Sequence, residues 1–479
     1  MGGTTNNWLA DMARFHPAAQ AVITEGGVLT YKELNRESLN SAAYFATFGI
    51  KKEDNVGIFI RHNYGFYIIV TALWNLGAVP VPLNTKLTEA ELIQQIENAG
   101  IEFLIVDDYY SDMLSGYLTL QKIVYSNHLK WDDQPAVPIP FNADKPALIM
   151  HTSGSSGKPK AVVHTFATLE ESVKLTDSIG GIASSDIFLA SLPFYHIGGF
   201  MMPVRALVKG AAVAFPESLQ YEDLCESLLS FNPTAASFVP TTLLRFIENS
   251  FPPNKGLKYF FLGGGPSENN IVLSGLSKGW PVIKVYGSTE TCSMISALKP
   301  EEGKINPSSS GKALTGVELK VENGELFIKS PSLFKEYYRN EEETKRKLQN
   351  GFYRTGDFAQ VDDKGYLYIE ARREDLIITG GENVAPYEVE KALKKNELIE
   401  DVCVFPMEDV KWGQKVCAAV KLKENAALTA EDLKEFLSIM LSTYKIPKEF
   451  YFVAEIPRNE MGKANRPELI KRISGLERK

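Results

Sequence analysis

A chain of 479 residues, 44% hydrophobic and 23% charged, has the composition of an ordinary globular protein and exceeds what one hydrophobic core supports, so two or more domains are expected. Its formal net charge of −8 argues against a nucleic-acid-binding face, which is normally basic, and leaves small anions held by a few local cations as partners. The cysteines Cys225, Cys292, Cys403 and Cys417 show no C-x-x-C pair and no histidine at metal-ligand spacing, so reduced thiols in a cytoplasmic protein are expected.

Met1 to Trp8 has no basic stretch followed by an apolar core, so no secretory signal is expected. From Asn55 to Asp107 strand-like runs alternate with helical periods, the mark of a parallel sheet covered by helices. Within it, Phe66 to Leu83 is broken by Thr71, Asn75, Gly77, Pro80 and Pro82, and reads as a buried helix and a strand rather than a membrane span. A second series of the same kind is expected to start at Ala147 and to continue through Ile187, Ala211, Ala235, Tyr259 and Val282, giving two stacked doubly wound sheets. Between about residues 310 and 370 short alternating segments predict a small β-barrel. After Arg372 the pattern resets to strand, helix, strand, strand, helix, strand, helix. The expected division is an α/β domain over 1–373 and a smaller, mobile α+β domain over 374–479, with the last three residues frayed.

The segment Thr152-Ser153-Gly154-Ser155-Ser156-Gly157-Lys158-Pro159-Lys160 combines hydroxyl donors, cations and glycines whose positive φ angles let amide N–H groups converge on an anion, so it is read as a phosphate loop. A solvated Gly/Ser turn is the plain alternative. It is not the nucleotide triphosphatase P-loop, because Gly154 and Gly157 are two residues apart and a proline follows Lys158. Gly263-Gly264-Gly265-Pro266 ends a strand with backbone bare enough for a purine to lie against, but fails as a dinucleotide fingerprint because Glu268 stands where a glycine is required. Val285-Tyr286-Gly287-Ser288-Thr289-Glu290-Thr291 places an aromatic, hydroxyls and a carboxylate at the carboxyl edge of a parallel sheet, where ligands bind. In Thr355-Gly356-Asp357 the carboxylate is an acceptor-only group that takes two donors at once.

The phosphate loop resembles the signature T-S-G-[ST]-T-G-x-P-K-G of the adenylate-forming, AMP-binding superfamily, with Ala161 replacing the closing glycine and His151 standing where an aromatic is commoner. The resemblance covers essentially the whole chain, with the motifs in their expected order, and points to the acyl-CoA ligase branch. It implies that Thr152, Ser153, Gly154, Ser155, Ser156, Gly157 and Lys160 hold ATP phosphates, that Gly263, Gly264, Gly265 and Pro266 wall the adenine, and that Tyr286 packs on it beside Gly287 and Ser288. Thr289 would contact the α-phosphate, Glu290 would hold Mg²⁺, and Asp357 with Arg372 would bind the ribose. His196, in Pro193-Phe194-Tyr195-His196-Ile197-Gly198, takes the position of the family histidine at the mouth of the acyl pocket, near Gly198 and Gly264. Lys463, in Gly462-Lys463-Ala464-Asn465-Arg466, is the implied catalytic lysine, Glu374 the hinge, and Gly380, Gly381 and Glu382 the lining of a coenzyme A channel.

The implied reaction joins a carboxylate to the α-phosphorus of ATP and then transfers the acyl group to a thiol, the smaller domain turning between the halves. No base for the thiol is assigned. Thr289-Glu290-Thr291-Cys292-Ser293, the Gly380 loop, the compact length and Arg205, nine residues past His196, together look most like the o-succinylbenzoate–CoA ligases of menaquinone synthesis. That substrate keeps one free carboxylate, and Arg205 has the planar fork suited to it; an arginine facing solvent is the alternative. Another aryl- or medium-chain acyl-CoA synthetase and a non-catalytic adenylate-binding module remain open, as does a homo-oligomer.

Overall fold

The computed structural model describes residues 4–87, 89–110, 122–125, 137–152, 159–265, 267–372, 377–379, 382–384, 386–409, 412–441, 443–459 and 462–476. The chain forms two compact units, one of residues 1–319 with 328–353 and the other of 320–327 with 354–479.

The first unit is organised by a nine-stranded sheet in the order Lys312–Ala313, Ser293–Leu298, Val282–Ser288, Tyr259–Leu262, Ala235–Phe238, Ile187–Leu189, Ala212–Ala214, Gln20–Thr24, Gly27–Thr30. Its strands run parallel from Gln20–Thr24 to Val282–Ser288, and the outer ones are antiparallel. The central strands are short unbroken apolar runs because helices cover both faces and leave no side of the sheet wet. Helix Tyr31–Thr47 starts where the Thr30 hydroxyl and the Glu33 carboxylate satisfy each other's backbone N–H groups, which fixes its entry beside the edge strand. A second, all-parallel sheet follows the order Val79–Pro82, Asn55–Phe59, Phe103–Val106, Lys122–Tyr125. The apolar stretch before it resolves as the helix Gly65–Leu76 leading into the strand Val79–Pro82, as its spacing predicts. No helix among the described residues is long and apolar enough to cross a membrane.

The strand Pro146–Thr152 departs from expectation. It does not open the second parallel series but pairs antiparallel with Lys160–Thr165, which pairs in turn with Glu336–Tyr337 in a separate three-stranded sheet. Both long strands of this sheet are buried on either face, from Ala147 to Met150 and from Ala161 to Thr165, so their sequences carry no alternation to distinguish a hairpin from a βαβ unit. Between the two parallel sheets lies an aromatic cluster in which Trp8, Trp74, Phe141 and Phe166 meet edge to face or stacked at 4.2–5.9 Å, with the Trp74 Nε1–H donating to the Ala147 carbonyl at 2.8 Å.

In the second unit, strands Glu382–Val384, Ile377–Thr379, Gly413–Leu422 and Ile399–Asp409 lie side by side, Glu449–Phe452 joins Gly413–Leu422 in parallel, and helices Pro386–Leu393, Ala430–Ser438 and Arg466–Leu476 accompany them. The alternation of elements matches the α+β expectation, with one extra short strand that makes the start a hairpin.

On the other flank of the nine-stranded sheet, Phe246 is fully buried and stacks on Trp280 at 5.0 Å. Truncating it leaves a cavity the sheet cannot close, so Phe246→Ala is expected to cost about 3–5 kcal/mol. Urea unfolding followed by tryptophan fluorescence measures it, and a loss below about 1 kcal/mol contradicts this packing.

Candidate active site

Neighbouring parallel strands deliver the expected motifs to one end of the nine-stranded sheet. Tyr259–Leu262 pairs with Val282–Ser288, so Gly263-Gly264-Gly265 and Tyr286-Gly287-Ser288 leave the carboxyl edge side by side, where open α/β sheets bind ligands. Gly264 has φ +83. Pro266 lies outside the described residues, as do Ser153, Gly154, Ser155, Ser156 and Gly157. Thr152 and Lys160 flank that segment and face each other as register partners on the antiparallel strands Pro146–Thr152 and Lys160–Thr165.

The turn Thr289–Cys292 joins Val282–Ser288 to its antiparallel neighbour Ser293–Leu298, and its main chain is clamped. The Thr289 carbonyl accepts from His164 Nε2 at 2.8 Å, that of Glu290 from the Phe334 N–H at 2.8 Å, that of Thr291 from the Ser332 hydroxyl at 2.9 Å, and that of Cys292 from the Ser172 hydroxyl at 2.5 Å. Cys292 and Ser293 have φ +56 and +88, a conformation that side chains disfavour and that surrounding bonds must enforce. Gly287 is required here, because a Cβ would sit 1.8 Å from the Ser293 carbonyl oxygen. Because a carbonyl only accepts, His164 carries its proton on Nε2, and complete burial lowers its pKa to about 4.

The Glu290 side chain is buried, and its Oε1 accepts from the Tyr337 hydroxyl at 2.9 Å. The Ser288 hydroxyl nearby is buried without a protein partner, a polar atom that a ligand would satisfy. A single buried carboxylate such as Glu290 fits Mg²⁺, which takes one or two carboxylates and completes its shell with water and substrate phosphates. Lys160 Nζ lies 2.6 Å from Glu343 Oε1. Arg346 also bonds Glu343, and these contacts lower that carboxylate's pKa to about 2, Arg346 foremost.

The residues that the family resemblance assigns to the acyl group lie further along the same sheet. His196 follows the strand Ile187–Leu189 and caps the helix Ile197–Lys209; Gly198 and Gly199 form its first turn, and a Cβ on Gly199 would lie 2.1 Å from the Pro193 carbonyl oxygen. Arg205 on this helix does not face solvent. It is 1% exposed, and its Nε and Nη2 donate to Thr176 Oγ1 and Ser293 Oγ, each at 3.0 Å. Neither partner is charged, and burial lowers the guanidinium pKa to about 10.

In the second unit, Asp357 and Arg372 are register partners on the antiparallel strands Phe352–Val361 and Leu367–Arg372. Asp357 is buried, and its N–H donates to Thr355 Oγ1 at 2.9 Å. Beside them Arg354 grips Glu325 through two bonds of 2.8 Å. Lys463 is exposed in a tight turn, where its N–H and carbonyl both bond Asn459. Glu382 opens the strand Glu382–Val384; Glu374, Gly380 and Gly381 fall outside the described residues.

Motif reading missed His164, Ser172, Tyr337 and Glu343. His164 left a signal, a polar residue closing the apolar strand Ala161-Val162-Val163. Tyr337 and Glu343 left none, since their partners Glu290 and Lys160 are 47 and 183 residues away.

The chain belongs to the AMP-binding enzyme family, whose pattern it matches over residues 9–338, with the AMP-binding enzyme C-terminal domain over 388–463. It is 33% identical to a 2-succinylbenzoate–CoA ligase of Geobacillus sp. (strain WCH70), covering 98% of both chains, and 32% identical to that of Bacillus subtilis (strain 168), covering 97% of both. Among solved structures, it superimposes with a TM-score of 0.90 and 31% identity on the o-succinylbenzoate CoA synthetase of Bacillus subtilis in complex with the acyl-adenylate intermediate, covering 98% of both chains. The same holds for that synthetase with ATP and magnesium ion, covering 98% of this chain and 100% of the other.

The buried His164 gives the fold a pH signature. Its pKa lies at about 4 folded against 6.5 unfolded, so below pH 6.5 the unfolded chain takes up a proton that the folded one refuses. Its contribution is complete above about pH 6.5 and is lost as pH falls from there to about 4. His164→Gln keeps an N–H donor for Thr289 without the titration. The urea midpoint of the variant is expected to fall less steeply over this window than that of the parent, and parallel profiles would remove His164 as a titrating group.

Proposed function

We propose that the protein is an ATP-dependent acid–thiol ligase that converts o-succinylbenzoate to o-succinylbenzoyl-CoA, the step named for its relatives and tied to menaquinone synthesis. The observation that carries the choice of acid is Arg205. A guanidinium that is 1% exposed and, among the described residues, bonded to two hydroxyls and to no carboxylate has surrendered its hydration without gaining a counter-ion there, a costly state unless an anion completes it. The free carboxylate of a dicarboxylic substrate is such an anion, and the guanidinium fork suits it.

In the first half-reaction an oxygen of the carboxylate to be activated bonds to the α-phosphorus of ATP, and the bond from that phosphorus to the bridging oxygen of pyrophosphate breaks. Negative charge grows on the phosphoryl oxygens, and fixed donors aimed at them lower the barrier. On this reading Thr152, Lys160 and Thr289 supply such donors, Glu290 would hold magnesium, which neutralises phosphate charge when bound, and Lys463 supplies an ammonium. Tyr286 and Gly263 to Gly265 hold the adenine, Asp357 and Arg372 the ribose. In the second half-reaction the coenzyme A sulfur bonds to the acyl carbon, the bond from that carbon to the AMP oxygen breaks, and the thiol proton passes to solvent. His196 and Gly198 border the acyl group, while Gly380, Gly381 and Glu382 line the pantetheine path and Glu374 is the hinge. Four cysteines in no disulfide accord with a reducing cytoplasm.

Two variants and one panel test the reading. Arg205→Met is expected to raise KM for o-succinylbenzoate about 100-fold, the scale of a buried charge pair deprived of one partner, while KM for ATP and the urea midpoint hold or improve; unchanged kinetics would take Arg205 out of the pocket. Lys463→Ala is expected to abolish pyrophosphate release yet spare thioester formation from supplied acyl-adenylate, and equal loss of both halves contradicts its assignment. Pyrophosphate release across a panel of carboxylates should depend on o-succinylbenzoate; release only with benzoates or fatty acids would overturn the substrate.

A further inference from the structure

The reaction above uses Lys160 and Glu290 and leaves unexplained the side chain that stands between them. Tyr337 is 2% exposed. Its backbone pairs with Val162, two residues from Lys160, its N–H donates to Thr344 Oγ1 at 2.9 Å, and its ring packs on Phe334 at 4.7 Å. The phenol hydroxyl donates to Glu290 Oε1 at 2.9 Å. The same ring carries Lys160 Nζ at 5.4 Å from its centroid, within reach of a cation–π attraction.

The ammonium of Lys160 and the carboxylate of Glu290 both contact this one side chain, and a Glu290 engaged by Lys160 would have its charge spent before any metal arrived. Two devices oppose that pairing. The aromatic ring separates the two heads while attracting both, the cation through its face and the anion through its hydroxyl. Glu343 satisfies the lysine at 2.6 Å instead and is itself anchored by Arg346 at 2.5 and 2.7 Å. We propose that Tyr337 is a positioning residue that holds the Glu290 carboxylate apart from Lys160 and oriented toward a divalent cation, with Glu343 as the decoy anion that keeps the lysine on its own side. This rests on the ATP and magnesium reading of the site and adds to it the reason why neighbouring opposite charges stay separately available.

The test is binding rather than turnover. Mn²⁺ is titrated into the full-length enzyme saturated with α,β-methylene-ATP and followed by electron paramagnetic resonance, and analogue binding is measured separately without metal. Tyr337→Phe keeps the ring and loses the hydroxyl. It is expected to weaken Mn²⁺ binding about 10-fold, the loss of one hydrogen bond to a charged group, and to leave metal-free analogue binding within twofold. Tyr337→Leu removes the ring as well and is expected to weaken Mn²⁺ further. In a Glu290→Gln background Tyr337→Phe should add nothing, since its effect runs through that carboxylate. Mn²⁺ binding unchanged within twofold in Tyr337→Phe, tighter binding, or an additive effect in the double variant would each overturn the proposal. A general loosening of the fold would weaken analogue and metal together and also counts against it. If the parent enzyme forms no ternary complex with Mn²⁺ and the analogue, the ATP and magnesium reading itself falls.

Discussion

The turn between Val282–Ser288 and Ser293–Leu298 is the constraint on which the first unit's chemistry depends. One short connection carries both Glu290, the carboxylate suited to a metal, and Ser293, the hydroxyl that meets Arg205 at 3.0 Å. Its path needs two positive-φ residues, Cys292 and Ser293, each costing on the order of 1–3 kcal/mol. Opposing that cost are the bonds to the carbonyls of residues 289 to 292 from His164, Phe334, Ser332 and Ser172, each worth about 1 kcal/mol net, and the Thr291 hydroxyl, which accepts from the Ser288 N–H at 2.8 Å and lies 2.7 Å from the Ser293 carbonyl. The two sides are of similar size, so the turn holds its shape only while the clamp is intact. On the proposed reading nucleotide and acyl chemistry are thereby tied to one piece of backbone, and a shift that moves Glu290 also moves Ser293.

The parts of this arrangement that were legible in the sequence are those in which the backbone itself is the constraint. Gly287, with a Cβ position 1.8 Å from the Ser293 oxygen, and Gly263, whose Cβ would meet the Val285 side chain at 2.9 Å, sit in local motifs whose residue types announce a turn at a strand end. The alternation of strands and helices gave the two parallel sheets and the element order of the second unit for the same reason, since periodicity is local. Tertiary pairing is not. The strand Pro146–Thr152 escapes local reading because a hairpin buried on both faces and a buried parallel strand have the same composition. Tyr337 reaches Glu290, and Glu343 reaches Lys160, only because Glu336–Tyr337 pairs with Lys160–Thr165, a meeting that nothing in either segment foretells. Arg205 was legible as a residue type suited to a carboxylate; that it is buried with no ionic partner required the packing of helix Ile197–Lys209 against Phe166–Gly180.

That burial distinguishes Arg205 from the other cations named around the first-unit site. Lys160 has Glu343, and the surrounding anions have partners of their own: Glu290 has Tyr337 and Glu343 has Arg346. Arg205 has hydroxyls. An acid with an uncharged tail would fill the same volume yet leave the guanidinium unanswered, and a site with an unmet buried charge discriminates far more steeply than one that merely measures size, since a missing methylene is worth 1–3 kcal/mol whereas an absent polar partner costs several. The fold gives up stability by keeping a desolvated charge, and on the proposed reading what it gains is rejection of the wrong acid built into the empty protein. Selectivity of this kind would need no movement and no second site, and Arg205 lies on a helix packed against Phe166–Gly180 and the strand Ser293–Leu298 that follows the Glu290 turn.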